Sequence, residues 1–403
     1  MKKTRCLVIY PIDSIGKKYG GIETTIRSYV KSLPQMLKIE IIGISVKNGP
    51  LNPGRWHDIT FSGREVRFYP VLEVEDPNYR TRIPLIFKFV VALLLHRRKI
   101  NFSNRIIMFH RLEPAYVLSD IRSKKILFLH GNIPQYLKDR YSENKWKGLH
   151  KIYFLIEPFF IKKMARIFVV SQKACMYYKE KYRRDAQRFK FMPTWYNPET
   201  FYREEGLCRE EIISQYDLPL KKVQILFVGR LELPKNPDLL IKVFKEINQH
   251  YPESVLIIIG DGKLSEQVEQ LISKLNLEGA VFIIGRQSQK AIVDLMNVSD
   301  VMLMTSAIEG MPRVAMESLA CGLPVVSTDA GEVHIVVKNG ESGALVYSHD
   351  PREIAQALIS VVDSPPSPTS CRNAVAEYTE EKIITFINKE LMEVIDDLQH
   401  NSR

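Results

Sequence analysis

The chain has 403 residues, too many for one ordinary hydrophobic core, so two or three domains are expected. Its 45% apolar and 26% charged residues are those of a folded globular protein and exclude disorder as the starting assumption. The net charge of +11 hides an asymmetry: residues 1–200 carry 38 Lys and Arg against 16 Asp and Glu, whereas residues 201–403 carry 19 against 30. Such a basic first half points toward a polyanion or an anionic membrane surface.

In chain order, short apolar runs of strand length recur at Cys6–Tyr10, Ile39–Ser45, Val66–Tyr69, Arg105–Phe109, Lys125–Leu129 and Arg166–Val170. Helical patterns separate them, as at Gly21–Leu33 and Tyr153–Met164. Continuous apolar strands alternating with helices predict a parallel sheet covered on both faces. The stretch Pro84–His96 (PLIFKFVVALLLH), followed by Arg97, Arg98 and Lys99, reads either as a core helix with a basic C-terminal end or as a helix lying on a membrane surface. No run reaches the roughly 18 to 20 apolar residues of a spanning helix. The five cysteines are scattered without Cys-x-x-Cys, which indicates neither a disulfide framework nor a zinc site and suits a reducing cytoplasm. The basic start stops at Pro11, too soon for a signal peptide.

Phe189–Leu220, with Pro193, Pro198 and Pro219, reads as an interdomain connection. The strand rhythm then restarts at Val223–Val228 and continues through Val255–Ile259, Val281–Ile284, Val301–Met304, Pro324–Ser327 and Ala344–Val346. A breaker cluster, Ser364-Pro365-Pro366-Ser367-Pro368, precedes an amphipathic helix from about Thr379 to Leu398. The expected class is therefore α/β: two doubly wound, Rossmann-like domains facing each other across a cleft. Residues 1–200 form the first domain and 201–375 the second, and a C-terminal helix (376–403) packs back on the first.

The densest motif is Glu309–Val326, EGMPRVAMESLACGLPVV, between a buried strand and the next one. Pro312 is expected near the first helical position, with free N–H groups around Gly310 and Met311 facing an anion such as a diphosphate. Glu309 falls in the loop before the helix and Glu317 within it. An ionised carboxylate accepts two hydroxyl hydrogen bonds at once, which suits sugar recognition. A second motif, Val228-Gly229-Arg230-Leu231-Glu232-Leu233-Pro234-Lys235, follows the first strand of the second half. Arg230 and Lys235 there can neutralise a diphosphate leaving group.

With Glu309 and Glu317 eight residues apart in this context, the sequence resembles the retaining glycosyltransferases of family 4, which share the GT-B fold. The likeness is continuous from about residue 223 to 360 and includes Gly260-Asp261-Gly262, Ile284-Gly285-Arg286 and Asp329-Ala330-Gly331-Glu332-Val333. It implies that Glu309 holds the transferred sugar, that Glu317 takes the ribose hydroxyls, that Arg230 and Lys235 take the diphosphate, and that the Arg286 segment lies at the nucleobase. In the first half, Gly20-Gly21 matches a glycine turn facing the donor. His130, in LFLHGN, matches a histidine near the transferred sugar and the acceptor, with His110 beside it. The sequence departs from the family at Trp195–Phe201, where relatives carry Asn-Gly-Val-Asp-x-x-x-Phe.

No Asp-x-Asp occurs, so no metal clamp is expected and no cofactor beyond the UDP- or GDP-sugar donor. The resemblance implies retention at the anomeric carbon by front-face transfer of a hexose-type sugar, in the setting of bacterial surface polysaccharides such as O-antigen or capsule. The charge of the first half suggests an anionic glycan or polyprenyl-diphosphate-linked acceptor. The expected location is cytoplasmic, or peripheral on the inner membrane, where Lys145-Trp146-Lys147 and Phe159–Arg166 would rest on anionic lipid. Nucleic acid is not an expected partner, since no groove-reading motif accompanies the charge. The alternatives are a nucleotide-sugar epimerase of the same architecture and a binding-only relative.

Overall fold

The structure is a computed structural model that describes residues 4–17, 20–78, 82–130 and 157–400. These residues divide into two compact units.

The first unit draws on Met1–Gly131, Gly148–Met192 and Ile383–Arg403. Its eight strands are β1 (Arg5–Asp13), β2 (Lys38–Val46), β3 (His57–Phe61), β4 (Arg64–Val74), β5 (Arg105–Phe109), β6 (Lys124–Leu129), β7 (Arg166–Val169) and β8 (Phe189–Phe191). They lie in the order β3-β4-β2-β1-β5-β6-β7-β8, parallel except where β3 runs against β4. The central strands are buried at nearly every position because helices cover both faces. Four helices described in this part of the chain are α1 (Gly21–Ser32), α2 (Leu85–His96), α3 (Leu112–Val117) and α4 (Gln172–Lys181).

Two elements differ from the sequence expectation. The β3–β4 hairpin adds an antiparallel edge, and its first strand alternates half-buried and exposed residues instead of presenting an apolar run. Part of the expected interdomain connection is the last strand of this sheet: Phe189 pairs with Ile167 and Phe191 with Val169. Phe189 is fully buried against Tyr178, and this apolar anchor outweighs the polar neighbours that made the stretch read as linker.

The second unit holds Pro193–Lys382. Its six strands are β9 (Val223–Val228), β10 (Ser254–Ile259), β11 (Val281–Ile283), β12 (Val301–Met304), β13 (Val325–Thr328) and β14 (Gly343–Val346). All pair in parallel in the order β11-β10-β9-β12-β13-β14, the doubly wound pattern in which the chain starts mid-sheet and later jumps back beside its first strand. The helices are α5 (Arg209–Gln215), α6 (Pro237–His250), α7 (Ser265–Lys274), α8 (Gln289–Val298), α9 (Arg313–Ala320), α10 (Pro351–Asp363) and α11 (Pro368–Val375). One face of α6 supplies Leu240, Val243, Phe244 and Ile247 to a core shared with β9, β10 and α10. Helix α5 lies inside the expected connection and is tied to the sheet by Arg209, whose guanidinium holds the carboxylate of Asp300 at 2.7 and 2.9 Å.

The last helix, α12 (Glu380–His400), belongs from Ile383 onward to the first unit. Glu390, buried on this helix, meets Arg166 of β7 at 2.9 Å and Lys190 of β8 at 3.0 Å. Removing one partner of a buried ion pair strands the others, at a cost of about 3 kcal/mol or more. Glu390→Ala is therefore expected to lower the urea midpoint of the first unit's unfolding, followed by circular dichroism. An unchanged midpoint would show that this carboxylate does not hold the helix.

Candidate active site

In a doubly wound sheet the two strands at the reversal send their following connections to opposite faces, which leaves a crevice at their carboxyl ends. In the second unit that pair is β9 and β12. The loop after β9 carries Arg230 and Lys235, and the loop after β12 carries Glu309. Lys235 Nζ donates to Glu309 Oε1 across 74 residues of sequence, and Ser306 Oγ donates to the same oxygen at 2.7 Å. Both bonds fall on Oε1, so Oε2 takes no part in either.

The two loops are held by their own backbones. Ala307 N–H donates to Pro234 at 2.9 Å, and Thr305 Oγ1 donates to the carbonyls of Lys235 and Asn236 at 3.1 Å. Thr328, at the end of β13, donates to Ser306 O at 2.7 Å. Gly331 (φ +63°) lets the next loop close on the Glu309 segment, since a Cβ there would lie 2.3 Å from Gly310 O. Gly260 has the same purpose after β10, where a Cβ would lie 2.0 Å from Gly229 O. Substitution at either glycine would push apart loops that carry candidate ligand-binding side chains.

The remaining residues expected at a donor site sit as follows. Arg230 is the most exposed of them, its guanidinium 2.7 Å from Glu232. Arg286 pairs with Asp261 at 2.7 Å, across the loops that follow β11 and β10. Helix α9 begins at Arg313, with Pro312 in an extended conformation (φ −73°, ψ 107°) at its N-cap. Gly310 and Met311 therefore lie in the preceding loop and not at the helix tip, a correction to the expected boundary. The cause is local: a proline biases the residue before it away from helical angles. Gly310 O accepts the N–H of Glu332 at 2.8 Å.

Glu317 stands one turn beyond Arg313 on α9. Burial pushes its carboxyl up to about 7, with Arg313 pulling the other way. Burial in turn lowers the Arg313 guanidinium from its usual range, and this side chain lies 5.7 Å above the Trp195 ring. Arg313 and Trp195 are site neighbours that motif reading did not single out. A group of Asp329, Glu332 and His334 was also missed as a unit: His334 lies 3.8 Å from Asp329 and 3.9 Å from Glu332. Asp329 and Glu332 lie in a matched motif, and His334 directly follows it.

In the first unit the reversal falls between β1 and β5. Asp13, at the end of β1, turns the chain by accepting the N–H groups of Ile15 and Lys17 at 2.9 Å each. Gly20 is the N-cap of α1 and Gly21 its first residue. A Cβ on Gly21 would meet nothing within 4 Å, whereas one on Gly20 would lie 2.6 Å from Glu23 Oε2. His110, after β5, and His130, after β6, share a hydrogen bond at 2.9 Å between Nδ1 and Nε2. Burial and the neighbouring ring hold His110 well below the usual histidine range, so it is neutral. Phe128 stacks on it at 4.5 Å between ring centroids, Tyr10 meets it edge-on at 6.3 Å, and the Tyr10 hydroxyl donates to Glu23 Oε1 at 3.0 Å.

Residues 208–378 match the family described as glycosyl transferases group 1. The match lies within the second unit and spans less than half of the chain. The chain is 28% identical over 268 residues to an uncharacterized glycosyltransferase of Methanocaldococcus jannaschii, a match that covers 62% of this chain and 63% of that protein. The matched stretch is thus less than two thirds of that relative's own length. Across 98% of its length the chain has the GT-B fold of sucrose-phosphate synthase from Thermosynechococcus elongatus (TM-score 0.75, 17% identity, all of that chain covered). It likewise matches HepE of Anabaena in complex with UDP-glucose (TM-score 0.67, 19% identity, 98% of this chain and 99% of that one).

The raised pKa of Glu317 has a measurable sign. Below about 4.5 the carboxyl is neutral in the folded and unfolded chain alike. Above about 7 it is charged in both, and the folded state alone bears the desolvation cost. Its contribution to stability therefore declines between those values. The Glu317→Gln variant is expected to lose this decline in a series of thermal melts from pH 4.5 to 7.5; parallel curves for the two proteins would refute the assignment.

Proposed function

We propose that this protein is a retaining, metal-independent glycosyltransferase that moves a hexose from a UDP- or GDP-sugar to a phosphate-bearing glycan or lipid-linked acceptor in surface-polysaccharide synthesis. The observation that carries the reading is the contact of Lys235 with Glu309 at the sheet reversal. In a sugar nucleotide the diphosphate and the transferred sugar are joined by one oxygen. A cation for the first and a carboxylate for the second must therefore lie within a few ångströms of each other, whatever their distance in sequence.

In this reading Lys235 and Arg230 neutralise the diphosphate as the bond from the anomeric carbon to its oxygen breaks. Glu309 accepts hydroxyls of the moving sugar, and the Lys235 and Ser306 bonds to Oε1 fix its direction. Gly310 and Met311 supply loop N–H groups, and Glu317 accepts the two ribose hydroxyls. The segment at Arg286 lines the nucleobase. On the first unit, His130, hydrogen-bonded to His110, is the group proposed for the incoming acceptor hydroxyl. The new bond forms on the face that the diphosphate leaves, and the acceptor's proton passes to the departing phosphate oxygen, so configuration is kept. The UDP-glucose of the Anabaena neighbour supports a uridine donor as the first candidate. The sucrose-phosphate synthase likeness is one of fold, and the acceptor class rests on the excess of 22 positive charges in residues 1–200.

Three measurements test this. Differential scanning fluorimetry with UDP, GDP and their sugars should give a shift for one nucleotide series, since a ligand that binds only the native state raises its stability. Lys235→Ala and Glu309→Ala are each expected to lower turnover by roughly 100- to 1000-fold while circular dichroism shows both variants still folded, and EDTA leaves the wild type unaffected. Wild-type rates in both variants would sink the site. An epimerised donor formed without acceptor would replace transfer by epimerisation.

A further inference from the structure

Helix α2 buries one face and exposes another that is just as apolar. Ile86, Phe89 and Leu93 are packed into the first unit, whereas Val91 is 57%, Leu94 48% and Leu95 76% exposed and Phe87 is exposed as well. The spacing of 87, 91 and 94/95 is one stripe of the helix, about 12 Å long at 1.5 Å per residue. Solvated helix faces are ordinarily polar; this one carries only Lys88 among its charged residues before the helix ends.

Directly after the stripe the chain turns basic with Arg97, Arg98 and Lys99. These lead into a surface hollow of about 520 Å³ lined by Arg97, Arg98, Arg122, Asn101, Ser103 and Asp120. Arg97 is committed to Asp120, and it also donates to Val117 O at 3.2 Å, which fixes the hollow to the end of α3. Three arginines against one aspartate leave the hollow cationic. Tyr116, 55% exposed on α3, adds an aromatic ring packed edge-on against Phe160. An apolar stripe ending in a cationic hollow is the pattern of a surface that faces acyl chains and phosphate headgroups together.

We infer that the outer face of α2 and the arginine-lined hollow at its end form a docking surface for an anionic lipid bilayer, the stripe seating at the acyl boundary and Arg98 and Arg122 meeting lipid phosphates. Charge complementarity selects this occupant, since a like-chain partner would have to bring the same excess of cations against itself. The inference goes beyond the transfer reading and stands without it, because none of these residues belongs to the candidate active site.

The test is flotation of the full chain with vesicles of phosphatidylcholine, alone or with about one third phosphatidylglycerol. The wild type is expected to float with the anionic vesicles and not with the neutral ones. The double variants Val91→Asp with Leu95→Asp, and Arg98→Glu with Arg122→Glu, are each expected to bind about tenfold less. Both should keep the wild-type melting temperature, since all four side chains reach solvent. Equal indifference of the wild type to both vesicles, or undiminished flotation of the variants, would overturn the proposal. So would a dimer seen by light scattering that Leu95→Asp converts to monomer, which would assign the stripe to a second copy of the chain.

Discussion

The pairing of β12 beside β9 is the constraint from which the candidate active site follows. Had the chain continued outward from β11, the loops after β9 and β12 would lie on widely separated strands, and Lys235 could not reach Glu309. Because the chain returns to the middle of the sheet, two loops remote in sequence end side by side. Thr305, Ser306 and Thr328 are buried at the strand ends where apolar residues would fit the sheet equally well. Their hydroxyls are used on Lys235 O, Asn236 O, Glu309 Oε1 and Ser306 O. These bonds turn a crevice that any such sheet possesses into one with a fixed carboxylate and a fixed cation.

The same topology in the first unit gives a different chemistry. There the reversal between β1 and β5 presents a stacked pair of histidines, of which His110 is held neutral, and a carboxylate, Glu23, engaged by Tyr10. A buried imidazole held neutral can donate one hydrogen bond and accept another without bringing a net charge. Such a pair suits hydroxyl groups better than phosphate.

How much of this was legible in the sequence depends on the range of the interaction. Strands buried on both faces announce themselves, so nearly every core strand and the restart at Val223 could be placed from apolar runs alone. The β3 edge could not, since HDITF alternates and is short, and β8 was hidden because three residues of strand carry little pattern. In the candidate site, Lys235 and Glu309 were each visible through their motifs, yet their contact was not, because no local rule links residues 74 apart. Arg313 was passed over although it lies inside the quoted motif: a cation one turn before a glutamate reads as a solvated helix pair. Only its place beside Trp195, with Glu317 desolvated, shows that the pair is sheltered from water.

Helix α2 shows why composition alone cannot separate a core helix from a membrane-surface one. A helix packed on a sheet buries a stripe, not its circumference, so apolar residues beyond that stripe gain nothing from the fold. In α2 the sheet-facing stripe is satisfied by Ile86, Phe89 and Leu93. Val91, Leu94 and Leu95 could be polar without loss of packing, as the outward positions of α6 and α7 largely are. Their apolar character is therefore not explained by the stability of the first unit. It requires a second environment, and the arginines at the helix end give that environment its sign.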